Sequence, residues 1–119
     1  MDKSIKQELL AEIGRSESFT FVDLIYFFEN RDVHPYGDYI VGHPDLNIYM
    51  WIDLSEEVAN LIMEMLHNEE IFAFSVDQQV YASMGAGVCA PMAKRLTPGG
   101  GYKRPHWQPV IFRTKGERV

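Results

Sequence analysis

Between Phe21 and Phe28 seven of eight residues are apolar, and Asp23 is the exception. A helix made of them is apolar almost all round, so it is stable only where other elements cover more than one of its sides. Thr20 marks its start as the capping residue, with Asp23 placed to reach back to it. The spacing predicts this helix over about residues 21–30. The rest of the chain has to supply its cover.

Three further segments can do so. Ile5, Leu9 and Ile13 form an i, i+4 row flanked by Leu10, after Ser4 and Gln7 in capping-box spacing and before Gly14. They predict a helix over about residues 4–13. Val58, Leu61, Ile62, Met65 and Leu66 fill the template of one buried helical face, capped by Asp53 or Ser55 and ending near His67-Asn68. Asn47 to Ile52 reads as a strand, with aliphatic residues at even positions and Tyr49 and Trp51 at odd ones, so both of its faces should be partly covered. Asp38 to Val41 is a shorter strand among turn residues such as His34-Pro35, Gly42 and His43-Pro44. Ile71–Ser75 and Gln79–Ser83 are expected to form a hairpin around Val76-Asp77-Gln78.

From Val88 onward the composition changes. Pro91, Pro98, Pro105 and Pro109 with Gly99-Gly100-Gly101 argue against long helices, yet Met92, Tyr102, Trp107 and Val110–Phe112 are too apolar for a disordered linker. The division expected is a domain over residues 1–87 and a Pro/Gly-rich arm over 88–119 that packs partly on it, with Val110–Phe112 as an edge strand. The fold class is α+β: three helices with a small antiparallel sheet, plus the irregular arm.

Charge divides at nearly the same place. Residues 1–93 carry four cations against sixteen carboxylates, a net −12, and residues 94–119 carry seven cations against one carboxylate, a net +6. Such a split speaks of partners more than of fold. No run approaches the ~20 apolar residues of a membrane span, and the N-terminus lacks the apolar stretch of a secretory signal. The expectation is a cytoplasmic protein with no membrane partner. A single cysteine, Cys89, leaves no internal disulfide and no cysteine-based zinc site, and it reads as a small apolar side chain.

The run Trp51-Ile52-Asp53-Leu54-Ser55-Glu56-Glu57-Val58, continuing through Leu61-Ile62 and Met65-Leu66 to Ile71-Phe72 and Val80-Tyr81, resembles a winged-helix domain over about residues 4–84. The resemblance lies in the order of elements: a short strand, a recognition helix, then a two-stranded wing. It implies DNA binding through the third helix. The outward residues of that helix, Glu56, Glu57, Asn60, Met63, Glu64 and His67, include no lysine or arginine. Glutamates facing a phosphate backbone are repelled, which argues against conventional docking.

Two surfaces follow as candidates. Glu56, Glu57, Glu64, Glu69, Glu70 and Asp77 would offer a negative face to a basic protein partner, even imitating a phosphate backbone. Acidic surfaces of this kind also serve solubility alone. The winged-helix likeness then implies a regulator or inhibitor of the kind carried by a phage or other mobile element. Lys94, Arg95, Tyr102, Lys103, Arg104, His106 and Trp107 would alternatively bind nucleic acid, cations on phosphate and rings on bases. The competing reading has Lys103 and Arg104 pairing with the acidic body while Tyr102 and Trp107 fill a groove on it. That intramolecular reading is the favoured one.

No catalytic motif, phosphate loop or histidine pair in metal-ligand spacing is present, so no catalytic residue, metal or cofactor is expected. His34 and His43, with Asp38 and Asp45, could at most converge in one loop. Phe27, Phe28, Tyr49 and Trp51 are expected in the core. The exposed side of the second helix offers a homodimer contact as the other use for such aromatics.

Overall fold

The computed structural model describes residues 3–88, 92–93 and 101–114. Two helices, α1 (Lys3–Arg15) and α2 (Phe21–Glu29), precede a hairpin of β1 (Tyr36–His43) and β2 (Ile48–Leu54), whose strands are joined through a 3-10 turn at Pro44–Leu46. There follow α3 (Glu56–His67), β3 (Phe72–Ser75), the short α4 (Gln79–Ala82), β4 (His106–Trp107) and β5 (Val110–Arg113). The strands form a three-stranded sheet in the order β1-β2-β4 and a two-stranded sheet of β3 and β5. The fold is α+β, but with a fourth helix. The larger sheet is mixed, since β4 runs parallel to β2.

Local sequence chemistry sets the helix boundaries. The Thr20 hydroxyl accepts a hydrogen bond from the Asp23 N–H at 3.2 Å, and the Asp23 carboxylate accepts one from the Thr20 N–H at 2.9 Å, completing the box that starts α2. Ser55 caps α3 by accepting from the Val58 N–H at 3.2 Å. In α1 the helix already includes Lys3, which puts Ser4 inside it rather than ahead of it.

The expected Ile71–Ser83 hairpin does not form. Gln79–Ala82 is helical, and β3 pairs with β5 instead, with Ala73 opposite Phe112 and Phe74 opposite Ile111. The Asp77 carboxylate accepts from the Gln79 N–H at 2.9 Å and so opens a helical turn, not a strand return. Val110, Ile111 and Phe112 are apolar at three consecutive positions and all buried, so β5 needs cover on both faces. Its edges are taken by β3 on one side and by Phe19, whose carbonyl accepts the Phe112 N–H at 2.8 Å, on the other, while the Phe112 ring packs against Phe21.

The cover that α2 demands includes an aromatic cluster that joins it to β2, α4, β4 and β5. Phe21 stacks on Trp51 with centroids 5.6 Å apart and meets Phe112 edge-on at 5.0 Å. Trp51 in turn stacks on Tyr81 at 5.3 Å, and Trp107 stands edge-on to both. Phe27 and Phe28 are buried as expected, their rings perpendicular at 5.2 Å. Trp107 donates its indole N–H to the Met50 carbonyl at 3.2 Å.

Helices α2 and α3 end alike. After α3 the Glu70 N–H reaches the Met65 carbonyl at 2.9 Å and the Glu69 N–H reaches Leu66, with Glu69 at φ 59°. After α2 the Val33 N–H reaches Phe28 at 3.0 Å and Asp32 N–H reaches Glu29, with Asp32 also at φ 59°. Both are Schellman motifs with an acidic residue where glycine is usual. A left-handed non-glycine residue is unfavourable by about 1–2 kcal/mol, partly offset by the greater unfolded-state entropy of glycine. Glu69→Gly is therefore expected to raise unfolding stability by about 0.5–1 kcal/mol, read as a higher urea midpoint at constant slope.

Candidate interaction surfaces

The six carboxylates of the candidate acidic face occupy different settings. Glu56 and Glu57 sit in the first turn of α3, both exposed, where the helix dipole favours them. Among the described residues neither makes an ion pair. One turn before the end of α3, Glu64 shares Lys6 of α1 with Glu70: the ammonium lies 3.4 Å from Glu64 and 2.9 Å from Glu70. Glu70 Oε1 is buried without a well-aligned hydrogen bond, so Lys6 is what answers its charge. The pair lifts Lys6 above its ordinary value, with the Glu70 contact the largest cause. Glu69 is exposed in the left-handed turn, and exposed Asp77 spends one oxygen on the start of α4.

The described part of the arm docks through backbone and rings. Asn47, at φ 57° in the β1–β2 turn, donates its side-chain N–H to the Tyr102 carbonyl at 2.8 Å, and the Tyr102 N–H reaches Leu46. The His106 and Gln108 N–H groups reach the Asn47 and Tyr49 carbonyls, each at 2.8 Å. Tyr102 is half-buried with its ring stacked on His106 at 3.8 Å. Trp107, only 4% exposed, belongs to the core, so it is not available to stack on a nucleic-acid base. Lys103 and Arg104 are exposed, and among the described residues neither pairs with a carboxylate. Half of the intramolecular expectation is thus corrected: aromatic rings and backbone hold this stretch, and its two cations point elsewhere. Lys94, Arg95 and Cys89 lie outside the described residues.

Among the described residues no group of three or more His, Cys, Asp or Glu side chains is placed to hold a metal ion. His34 stands edge-on to Tyr36 at 5.7 Å. His43 and His67 line a cavity of about 310 Å³ with Met50, Met63 and Leu66. A larger groove of about 520 Å³, bordered by Asp23, Tyr26, Phe27 and Met84, also includes Arg31. That cation is already occupied, 2.7 Å from Glu8 and 3.7 Å above the Phe27 ring.

One surface has no counterpart in the sequence reading. In β1 both Tyr36 and Tyr39 register on Leu54 of β2, with Gly37 and Asp38 looped out between them. A Cβ on Gly37 would lie 2.9 Å from the Leu54 carbonyl oxygen and 3.0 Å from Ser55 Cα, so this bulge sits directly against the start of α3. Tyr36 and Tyr39 are 47% and 45% exposed. The Tyr36 hydroxyl donates to Glu29 at 3.0 Å, which raises its pKa, with smaller contributions from burial and from the Glu29 and Tyr26 charges. The sequence predicted a shorter strand, Asp38 to Val41, whereas β1 already begins at Tyr36.

No helix is long and apolar enough to cross a membrane among the described residues. No protein-family model, curated protein or solved structure matches the chain.

Proposed function

We propose that this chain is a non-enzymatic binding protein whose acidic surface receives a basic protein partner, competing with nucleic acid for a cationic site as a regulator or inhibitor does. The observation that carries the reading is the state of Glu56, Glu57, Glu64, Glu69, Glu70 and Asp77. Five of the six are exposed, and Lys6 is the one described cation that pairs with any of them. A surface of net negative charge steers a positive partner and speeds its encounter, an effect that salt screens.

The test is capture of purified nucleic-acid-binding proteins by the immobilised chain, with duplex DNA as competitor. Glu56→Gln/Glu57→Gln is expected to weaken capture several-fold and to flatten its salt dependence, while the unfolding midpoint moves little. Capture that neither DNA nor these substitutions diminish counts against the reading. Lys103 and Arg104, exposed and without an ion pair among the described residues, favour one other reading, nucleic-acid binding by the arm. Fluorescence anisotropy with duplex and single-stranded DNA at low salt decides it, since absence of binding there rejects it.

A further inference from the structure

We propose that the Tyr36–Tyr39 bulge is the anchor for an arginine-rich segment of the protein partner, whose guanidinium groups lie on the two phenol rings and pair with the carboxylates around them. The inference rests on the acidic-surface reading and names where that partner is gripped and by what chemistry.

Four observations meet at this place. The bulge sets two exposed tyrosines opposite one residue, Leu54, and so brings rings that are three apart in sequence to one end of the hairpin. Exposed tyrosines of this kind supply large contact area at low entropic cost. Carboxylates lie beside them along the chain: Glu29 is bonded to Tyr36, Asp38 is inside the bulge, and Asp53, Glu56 and Glu57 flank the Leu54-Ser55 step on which the bulge rests. The described cations with partners are engaged elsewhere, Lys6 with Glu64 and Glu70, Arg15 with Glu12, Arg31 with Glu8 and Arg113 over Phe74. Lys103 and Arg104 follow Tyr102, which is held at the opposite, Leu46–Asn47 end of the same hairpin.

The same features choose among occupants. A second copy presenting this patch to itself would set like charges face to face, which is unfavourable. Strand addition to the outer edge of β1 is hindered by three register irregularities along that strand, the device by which sheets blunt an edge. What remains is recognition by side chains. Arginine suits it better than lysine, because its planar guanidinium stacks on a ring and pairs bidentately with a carboxylate at once.

The experiment is titration calorimetry of the full chain with two synthetic peptides of equal length and charge, one carrying six arginines and the other six lysines, on a Gly/Ser background. The arginine peptide is expected to bind several-fold more tightly, because a planar guanidinium stacks on a phenol ring where an ammonium makes only a point contact. Tyr36→Leu/Tyr39→Leu should reduce that preference to near one while leaving charge-driven binding at low salt. Tyr36→Phe, which keeps the ring and removes the Glu29 hydrogen bond, should retain it. Tyr39→Leu alone gives an intermediate preference and serves if the double variant is unstable. Equal affinity of the wild type for both peptides, or a preference that survives loss of both rings, overturns this inference alone. Failure of both peptides to bind at low salt overturns it together with the acidic-surface reading.

Discussion

Tyr81→Phe is expected to lower the free energy of unfolding by about 2–4 kcal/mol, although it removes one oxygen atom and no apolar surface. Tyr81 is fully buried on α4, and its hydroxyl joins three elements. It accepts the Phe21 N–H at 3.0 Å, at the start of α2, and donates to the Val110 carbonyl, at the start of β5. Phenylalanine leaves both backbone groups in the core without that partner, each at about 1–3 kcal/mol. A single domain of this size has about 5–15 kcal/mol in total, so urea denaturation at constant slope reads the loss easily.

The same residue adds an alkaline signature. Burial, the largest cause, pushes the Tyr81 phenol well above its ordinary value near 10, and the nearby Asp23 charge adds to the rise. Above pH 10 the unfolded chain then loses a proton that the folded chain keeps. Stability present below that pH falls as pH rises, by at most about 1.4 kcal/mol per pH unit for one group. Lys6, also raised, gives a decline of the same sign. The Phe variant should therefore show a shallower alkaline decline than the wild type. Parallel profiles from pH 9 to 11 would contradict this role.

How much of this was legible in the residues depends on the range of the interactions involved. The boundaries of α2 and α3 follow from caps three residues away and from apolar spacing within one helix, and the structure places Thr20, Asp23 and Ser55 where those rules put them. The strand at Tyr49 and Trp51 also shows the two-sided cover its alternation implied. The pairing of β3 with β5 joins Phe72 to Arg113 across some forty residues, and nothing in either segment names the other. A nearer candidate, Gln79–Ser83, carried β-forming Val80 and Tyr81. Adjacent apolar residues also suit one side of a helical turn, and burying Tyr81 against Trp51 and Trp107 decided between them.

The candidate sites divide by the same criterion. Exposure of Glu56, Glu57 and Glu64 followed from helical periodicity. The Lys6 pairing did not, because it joins α1 to the far end of α3. For the arm, a short basic-aromatic stretch was one motif in sequence and two in structure. Lys103 and Arg104 face outward, while Trp107 three residues later is in the core. Charge could not predict that separation, since the aromatic cluster that captures Trp107 is assembled from α2, β2 and α4.

That capture makes Trp107→Ala the most disruptive single change expected. Truncating a buried tryptophan costs about 3–5 kcal/mol, and here the lost ring contacts both Trp51 and Tyr81 at the centre of the cluster. The Met50 carbonyl also loses its indole donor. Two outcomes are distinguishable by amide hydrogen exchange. If residues 101–114 were a detachable appendage, protection would fall at the His106, Gln108 and Phe112 amides and persist in α3. The packing argues otherwise. Freeing these strands exposes Val110, Ile111 and Phe112, and it removes from Phe21 the ring it meets at 5.0 Å and from Tyr81 its carbonyl acceptor. Helix α2 would then lose the cover that β5 gives its buried Phe21. Protection should consequently fall together in α2, α3 and the C-terminal strands, with one cooperative transition at an unchanged denaturant slope. Trp107→Phe, which keeps a ring and loses the Met50 hydrogen bond, should recover roughly half of the loss.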